Sequence, residues 1–252
     1  MAYETEYALA LEAAIRAGKY LGTLGQAAVD SQEGRDIKLA ADRRSEELII
    51  DVLRPTGISI LSEERGSVGG DQGSRKWIVD PLDGTANFWK GMRDLACVSV
   101  ALWEDGQPIL GVVNRFWTQE LYGGVMGKGA WRNGQPIHTS AVPHRKDAVL
   151  ATGFPVGRDY GTDSLAAFIG KVQGFKKIRM LGAAALMGAL VADGRIDAYT
   201  EEQIMLWDIA ASSAIVRAAG GVAEVQPLEG HQCICRLFAN RPLYEEYMEA
   251  GA

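Results

Sequence analysis

The stretch that constrains this chain most covers residues 77–90 and reads W-I-V-D-P-L-D-G-T-A-N-F-W-K. Its first three residues are aromatic or β-branched, which is typical of a short buried strand. Proline cannot donate a backbone hydrogen bond, so we expect strand pairing to stop at Pro81. Two carboxylates, on Asp80 and Asp83, therefore lie three residues apart at a strand end.

Gly84 and Thr85, which follow directly, add a second kind of chemistry. Threonine favours the start of a helix, where free N–H groups bind phosphate, and glycine lets the backbone approach a ligand closely. Carboxylate oxygens suit hard cations such as Mg²⁺. The stretch therefore indicates metal-assisted phosphate chemistry. Asp-Pro and Asp-Gly are also common in surface turns, and this stretch alone leaves both interpretations open.

Length and charge limit the classes of function. The 252 residues carry a net charge of −6. A chain of this length forms one large domain or two small ones. It contains no Lys/Arg-rich run, so we expect no nucleic-acid partner. An acidic protein that binds phosphate must neutralise substrate charge locally, and a bound divalent cation does so.

The cysteines and the N-terminus bear on the compartment. Cys97, Cys233 and Cys235 are an odd number without the spacing of a disulfide framework, which is typical of structural thiols in a reducing compartment. We expect no zinc site, because Cys-x-Cys is not a zinc spacing and only three histidines are present. The acidic N-terminus does not resemble a signal peptide, and no apolar run reaches membrane-spanning length. We therefore expect a cytoplasmic protein with no membrane partner.

Periodicity predicts helices and strands along the whole chain. In the first half we expect helices over 3–25 and 42–53, a strand over 58–61, a Gly/Ser-rich loop that can move over 66–74, and paired strands over 96–103, 108–114 and 121–125. In the second half we expect strands over 148–152, 177–179, 196–199 and 222–225, and helices over 163–172, 183–192, 207–219 and 241–249. This alternation predicts an α/β (α+β) fold with layers of helix on sheet. A polar segment at 143–146 divides the chain into parts 1–145 and 146–252.

Three acidic positions follow strands or open helices. They are Glu63 beside Glu64, the Asp80 and Asp83 pair, and Asp208. Each has an ordinary alternative, since acidic residues are mostly exposed and Asp is a common helix N-cap. Open α/β sheets bind ligands at strand ends, so we expect these carboxylates to converge on one crevice.

Three motifs occur in order: S-E-E at 62–64, D-P-L-D-G-T at 80–85, and W-D-x-A-A…G-G from 207 to 221. In order and spacing the chain resembles the inositol monophosphatase family, whose members are Mg²⁺-dependent, lithium-sensitive phosphatases. The resemblance covers nearly the whole chain. It implies a layered αβαβα sandwich of the sugar phosphatase type, a homodimer, and two or three Mg²⁺ ions per site. It also implies hydrolysis of a small phosphate monoester by activated water without a covalent intermediate.

The resemblance also implies roles for individual residues. The metal ligands would be Glu63, Asp80, Asp83, Asp208 and the backbone carbonyl of Leu82. The N–H groups of Gly84 and Thr85 would hold the phosphate. The catalytic residues would be Thr85, Asp42 and Glu63, and Thr85 with Asp42 would orient the attacking water. The substrate would contact Asp83, Gly182, Ala183, Ala184, Glu201 and Asp208. From the residues alone, a helix N-cap is the preferred interpretation of Asp42, and Glu201 is equally a solvated loop acid.

Two departures from the family pattern concern Ser62, which replaces the usual Gly, and Ala183, which replaces the usual Ser or Thr. The second removes a hydroxyl near the substrate. We expect a polyol phosphate such as inositol 1-phosphate. Histidinol phosphate, fructose 1,6-bisphosphate and other sugar or cyclitol phosphates stay open, and so does 3′-phosphoadenosine 5′-phosphate, although Ala86 stands where such phosphatases carry a basic residue. A non-catalytic metal- or phosphate-binding regulator is the alternative from another class.

Overall fold

A computed structural model describes residues 3–25, 29–33, 36–69, 71–154 and 159–250, with the backbone alone at 29–33, 36–39 and 71–72. Its helices are α1 (Glu4–Thr23), α2 (Ala40–Leu53), α3 (Thr85–Trp89), α4 (Thr162–Val172), α5 (Ala184–Ala192), α6 (Leu206–Ala218) and α7 (Arg241–Glu249). Its strands are β1 (Val29–Glu33), β2 (Asp36–Leu39), β3 (Ile58–Ser62), β4 (Gly66–Val68), β5 (Asp71–Asp83), β6 (Cys97–Glu104), β7 (Gln107–Arg115), β8 (Glu120–Val125), β9 (Gly129–Arg132), β10 (Gln135–Ile137), β11 (Val149–Ala151), β12 (Lys177–Arg179), β13 (Ala198–Met205), β14 (Val222–Pro227) and β15 (Gln232–Phe238).

The strands form two main sheets. The larger has eight strands in the order β10-β9-β8-β7-β6-β5-β3-β4, and the smaller has five in the order β12-β11-β13-β15-β14. Strands β1 and β2 pair only with each other. In the larger sheet β3 and β5 run parallel, and β5 to β10 form an antiparallel meander.

Helices cover both sheets and fill the space between them. Helices α1 and α2 pack on one face of the larger sheet, and α5 and α6 lie between its other face and the smaller sheet. Helices α4 and α7 cover the outer face of the smaller sheet. The predicted layered αβαβα sandwich is confirmed.

Residues 77–79 of β5 form an apolar run within a strand that is otherwise largely polar. Successive side chains of a strand point to opposite faces. Trp77 and Val79 face the core under α1 and α2, whereas Ile78 faces the layer of α5 and α6. Both faces of the sheet are buried at this point, so all three positions are apolar.

Small residues bring α6 close to the larger sheet. A Cβ built on Gly111 of β7 would lie 2.2 Å from the carbonyl oxygen of Ala211, and one on Gly124 of β8 would lie 2.8 Å from Cα of Ile215. Only glycine leaves room for the helix backbone at this distance. The position of α6 against the larger sheet therefore depends on these glycines.

Several predicted elements are confirmed. The ranges predicted for β12 and α7 match to the residue. The predicted turn between β6 and β7 has φ of 51° at Asp105 and 72° at Gly106, as a tight hairpin turn requires. No helix among the described residues is long and apolar enough to cross a bilayer. The division of the chain at residue 145 stays a prediction.

Two expectations were wrong, and one strand of the smaller sheet was missed. Pairing does not end at Pro81, because β5 resumes its ladder with β6 at Asp83. The segment 66–74 is not a loop, since it holds β4 and the start of β5 on either side of residue 70, which lies outside the described residues. Strand β15 was missed, because its Cys and Arg residues break the apolar pattern that predicts a strand.

Candidate active site

A cavity of about 280 Å³ opens where β3, β5 and β13 meet the starts of α3, α5 and α6. Eleven of the predicted site residues line it: Glu63, Asp80, Leu82, Asp83, Gly84, Thr85, Gly182, Ala183, Ala184, Glu201 and Asp208. Its other lining residues, which the sequence did not indicate, are Ala86, Gly153, Phe154, Met187 and Ile204. Asp42 is buried on α2 and is not among the lining residues.

A bulge at the end of β5 places the two aspartates. Asp80 pairs with Ser99 and Asp83 with Cys97, so two residues of β5 lie opposite one residue of β6. In a regular strand, residues three apart point to opposite faces. The extra residue brings both carboxylates to the cavity. The backbone N–H of Leu82 donates to Oδ1 of Asp80 at 2.9 Å, which fixes the turn.

Asp83 joins the end of β5 to the start of α5. Its carboxylate accepts hydrogen bonds from the backbone N–H groups of Ala184 (3.1 Å), Ala185 (2.8 Å) and Leu186 (3.4 Å). These are donors of the first helical turn, which have no acceptor inside the helix. Ala183, at the N-cap of α5, has no hydroxyl to accept them. Asp83 therefore caps α5 by accepting the hydrogen bonds that a Ser or Thr hydroxyl at position 183 would otherwise accept.

Gly84 and Thr85 form the tight turn into α3. Gly84 has φ of 83°, and a Cβ there would lie 2.6 Å from the carbonyl oxygen of Leu95, so the position requires glycine. Helix α3 begins at Thr85, so the N–H groups of its first turn are not used inside the helix. The Thr85 hydroxyl donates to the carbonyl oxygen of Leu82 at 2.9 Å.

Asn87 is a structural member of the site whose role the sequence did not reveal. Its side-chain amide donates to the carbonyl oxygens of Leu95 (2.8 Å) and Leu181 (2.7 Å). It also lies 3.2 Å from the carbonyl oxygen of Gly182. Asn87 thereby connects the turn after β5 to the segment that leads into α5. The T-A-N-F motif contains this residue, but only the structure shows its distant partners.

Helix α2 contacts the two turns that carry cavity residues. The Ser45 hydroxyl donates to the carbonyl oxygen of Pro81 at 2.7 Å, which holds α2 against the bulge of β5. Asp42 lies one turn earlier on the same face of α2. The buried carboxylate of Glu46 accepts from the backbone N–H of Arg65 at 3.1 Å and pairs with its guanidinium at 2.8 Å. This holds the turn that presents Glu63, and sequence reasoning did not find it.

Strand β13 and helix α6 supply the far wall. The buried carboxylate of Glu201 accepts from the Tyr199 hydroxyl at 2.9 Å. A Cβ on Gly153 would lie 2.5 Å from Glu201 Oε2, so a side chain at this position would displace the Glu201 carboxylate. The Asp208 carboxylate accepts from the backbone N–H of Met205 at 3.3 Å, as an acid in the first turn of a helix does.

The carboxylates perturb one another. Burial raises the pKa of Asp80 well above its usual range, and the charges of Glu63 and Asp83 raise it further. Burial and the charges of Glu63 and Asp83 also raise the pKa of Asp208. Burial raises the pKa of Asp83 to about 6, against the hydrogen bonds from the Cys97 thiol and the α5 N–H groups, which lower it. Like charges held together in this way favour a bound cation.

The donor set fits a hard divalent cation. The cavity presents five carboxylates, four of them on the proposed ligands, and Mg²⁺ prefers oxygen ligands of this kind. Among the residues that the structure describes, no three Asp, Glu, His or Cys side chains already form a metal-binding group. A cation would therefore draw carboxylates together that now repel one another. A carboxylate has several lone pairs, so the N–H groups bound to Asp83 leave it able to ligate.

Known proteins resemble this chain over most of its length. Residues 2–230 match the inositol monophosphatase family. An inositol-1-monophosphatase of Mesorhizobium japonicum is 36% identical over 230 residues, which are 88% of this chain and 85% of that protein. A protein named Nus factor SuhB from Pasteurella multocida is 38% identical over 184 residues, 72% of this chain and 68% of that protein.

Comparison of the fold with solved structures identifies the same family. The structure of an inositol monophosphatase from Anabaena superposes with a TM-score of 0.86 at 31% identity, covering 99% of this chain and 96% of that one. This confirms the resemblance carried by the S-E-E, D-P-L-D-G-T and W-D-x-A-A motifs. The chain therefore belongs to the inositol monophosphatase family, a family of metal-dependent phosphatases.

Proposed function

We propose that this phosphatase is a Mg²⁺-dependent phosphomonoesterase that hydrolyses a small polyol phosphate, inositol 1-phosphate first among them. The observation that carries the proposal is the convergence of five carboxylates and the first-turn N–H groups of α3 on one cavity of about 280 Å³. The carboxylates suit the cation, and the N–H groups suit the phosphate.

The cation site would consist of Glu63, Asp80, Asp83 and Asp208, with the carbonyl of Leu82. Two or three Mg²⁺ ions bound there would offset the phosphate charge and make a bound water acidic. The N–H groups of Gly84 and Thr85 would hold phosphate oxygens at the start of α3.

The hydroxyl of Thr85 has a defined orientation. Because it donates its proton to the Leu82 carbonyl, its oxygen is left to accept a hydrogen bond from the attacking water. Glu63, across the cavity, would take part in orienting that water and accept its proton. The pairing of Asp42 with Thr85 stays a prediction. Among the described residues, no cysteine or histidine lines the cavity. The proposal needs no covalent intermediate.

We attribute substrate choice to Glu201 and to residues 182–184, which line the cavity beside the proposed metal ligands. Glu201 is buried and oriented by Tyr199, so it is placed to accept hydrogen bonds from substrate hydroxyls. Gly182, Ala183 and Ala184 offer backbone groups and small apolar surface, without a cationic side chain for a second phosphate. A neutral ring of hydroxyls matches this lining. The relatives named inositol-1-monophosphatase agree with that substrate.

The proposal includes a cytoplasmic, lithium-sensitive homodimer. Met92 and Trp117 are 45% and 48% exposed, so both are available for a subunit interface. Sedimentation of the purified protein measures the oligomeric state.

A substrate panel tests the activity. Phosphate release with Mg²⁺ is measured from inositol 1-phosphate, histidinol phosphate, fructose 1,6-bisphosphate and 3′-phosphoadenosine 5′-phosphate. We expect the highest kcat/KM for inositol 1-phosphate, loss of activity with a chelator, and inhibition by lithium. A higher kcat/KM for another substrate would replace the polyol assignment and leave the metal chemistry intact.

A non-catalytic binding role is the second candidate, favoured by the similarity to a protein named Nus factor SuhB. Absence of turnover on the whole panel, with Mg²⁺ bound as shown by calorimetry, would support that role over the enzymatic one. Five carboxylates lining one cavity favour the enzyme.

A further inference from the structure

Strand β13 contains a bulge at Glu202 and Gln203. Glu201 pairs with Cys235 of β15, and Ile204 pairs with Cys233. Three steps along β13 therefore match two steps along β15, so β13 carries one extra residue.

The extra residue decides which side chains reach the cavity. Tyr199 and Glu201 face the layer of α5 and α6, whereas Glu202 faces the other way and pairs with Lys171 of α4 at 2.6 Å. A regular strand would continue this alternation and turn Ile204 away from the cavity. With the bulge, Ile204 returns to the side of Glu201, and both line the cavity. Their partners Cys233 and Cys235, two residues apart, share that side.

Gln203 holds the bulge in an uncommon backbone conformation. Its φ is 61°, in the left-handed region that favours glycine. Its side-chain Oε1 is buried and has no hydrogen-bond partner within the described part of the chain. Both features destabilise the fold, and neither is needed to close a turn, since Gln203 lies inside a strand. Strain of this kind persists where it shapes a site.

We infer that Gln203 is a positioning residue, whose backbone conformation sets the direction of Glu201 and the entry of the chain into α6 at Asp208. It acts through the backbone and does not touch substrate. The inference rests on the proposed function, in which Glu201 contacts the substrate and Asp208 the cation. It adds that the alignment of Glu201 and Asp208 depends on one strained residue, four positions before Trp207.

Two substitutions separate backbone from side chain. Gln203→Gly accepts the positive φ and removes the buried amide, so Tm should rise by about 2–4 °C while KM stays within about twofold of wild type. Gln203→Val resists the positive φ, so Tm should fall by about the same amount and KM rise about tenfold, with a smaller change in kcat.

Gln119 is the matched control. It is also a glutamine with positive φ (58°), it is exposed, and it lies in the turn between β7 and β8, away from the cavity. Gln119→Gly and Gln119→Val should shift Tm in the same directions and leave KM unchanged. A KM for Gln203→Val as small as that for Gln119→Val, or a KM for Gln203→Gly raised as much as that for Gln203→Val, would overturn the inference.

Crystal structures of wild type and Gln203→Val give a readout that does not need activity. We expect the Glu201 carboxylate to move by about 1 Å or more in the variant, a displacement large enough to impair catalysis. An unmoved carboxylate contradicts the positioning role. Failure of the substrate panel with wild type contradicts the proposed function instead, so the two failures are distinguishable.

Discussion

Strands β5 and β13 reach the cavity in the same way and use different residues to do so. Each carries one extra residue relative to its antiparallel neighbour, and each bulge brings two residues three apart onto the cavity side. In β5 these are Asp80 and Asp83, and in β13 they are Glu201 and Ile204. The first bulge is built with Pro81 and followed by Gly84, whereas the second has Gln203 at a position suited to glycine.

The difference shows which bulges a sequence reveals. Proline and glycine restrict or free the backbone in ways that are readable from residue type, so D-P-L-D-G-T predicts a special turn. Gln203 has no such identity, and only the pairing register shows the extra residue. In the proposed enzyme, the bulge of β5 serves the metal and phosphate, and the bulge of β13 serves the substrate.

The largest expected effect comes from the β5 bulge. Asp80→Asn removes one of the converging charges, and kcat should fall by about 10³-fold or more, because charge stabilisation of the reacting phosphate is lost. The fold should survive, since the like charges that raise the pKa of Asp80 are relieved. Phosphate release measures the activity, and circular dichroism checks the fold. Activity within tenfold of wild type would remove Asp80 from the proposed site.

The β13 bulge should give a smaller and different effect. Glu201→Gln keeps the size of the side chain and removes its charge, so KM for inositol 1-phosphate should rise about tenfold with a lesser change in kcat. Steady-state kinetics with inositol 1-phosphate and a simple phosphate ester lacking neighbouring hydroxyls separate the two parameters. An equal loss on both substrates would place Glu201 with the catalytic groups, and the contrast between the bulges would fail.

The pH dependence of stability should distinguish the metal-free from the Mg²⁺-bound protein. Asp80, Asp83 and Asp208 have a raised pKa in the folded state, that of Asp83 being about 6, so the folded state binds protons more tightly than the unfolded state. Without metal, stability should therefore rise as pH falls from 8 towards 5, by about 1–3 kcal/mol.

Saturating Mg²⁺ should remove this dependence, because the cation stabilises the ionised carboxylates. Thermal melts from pH 5 to 8, with Mg²⁺ or a chelator, measure both curves. The Asp80→Asn variant is the control and should show a flatter metal-free curve. A metal-free Tm that falls steadily from pH 8 to 5 contradicts the electrostatics of the β5 bulge.

The smallest effect is expected at Ala183, which lines the cavity at the N-cap of α5. Ala183→Ser supplies an N-cap hydroxyl to α5, but Asp83 already accepts from the first-turn N–H groups. Stability should therefore rise by less than the usual gain of about 1 kcal/mol, and KM should change by no more than about threefold. Urea unfolding and steady-state kinetics provide the values. A tenfold change in KM would make position 183 a stronger determinant of substrate than Glu201.

The part of the site that could be predicted from the sequence consists of the motifs at strand ends and helix starts. Glu63, Asp80, Asp83 and Asp208 line one cavity, because strand ends and helix starts meet at one edge in this layered fold, whereas Glu64 is not among the lining residues. The contacts of Asn87, Glu46 and Tyr199 could not be predicted, since their partners are backbone groups or side chains fixed by tertiary packing. The expectation that pairing stops at Pro81 was wrong because the bulge interrupts the ladder only between Asp80 and Asp83, where pairing with β6 resumes.

Calorimetric titration with Mg²⁺ of wild type, Asp80→Asn and Asp208→Asn tests most directly whether the residues around the two bulges form one cation site. Asp80 belongs to the bulge of β5, and Asp208 follows the bulge of β13 across the cavity. We expect wild type to bind Mg²⁺ and each variant to lose at least about tenfold in affinity, while both remain folded. Wild-type affinity in either variant would show that the two walls do not share a cation.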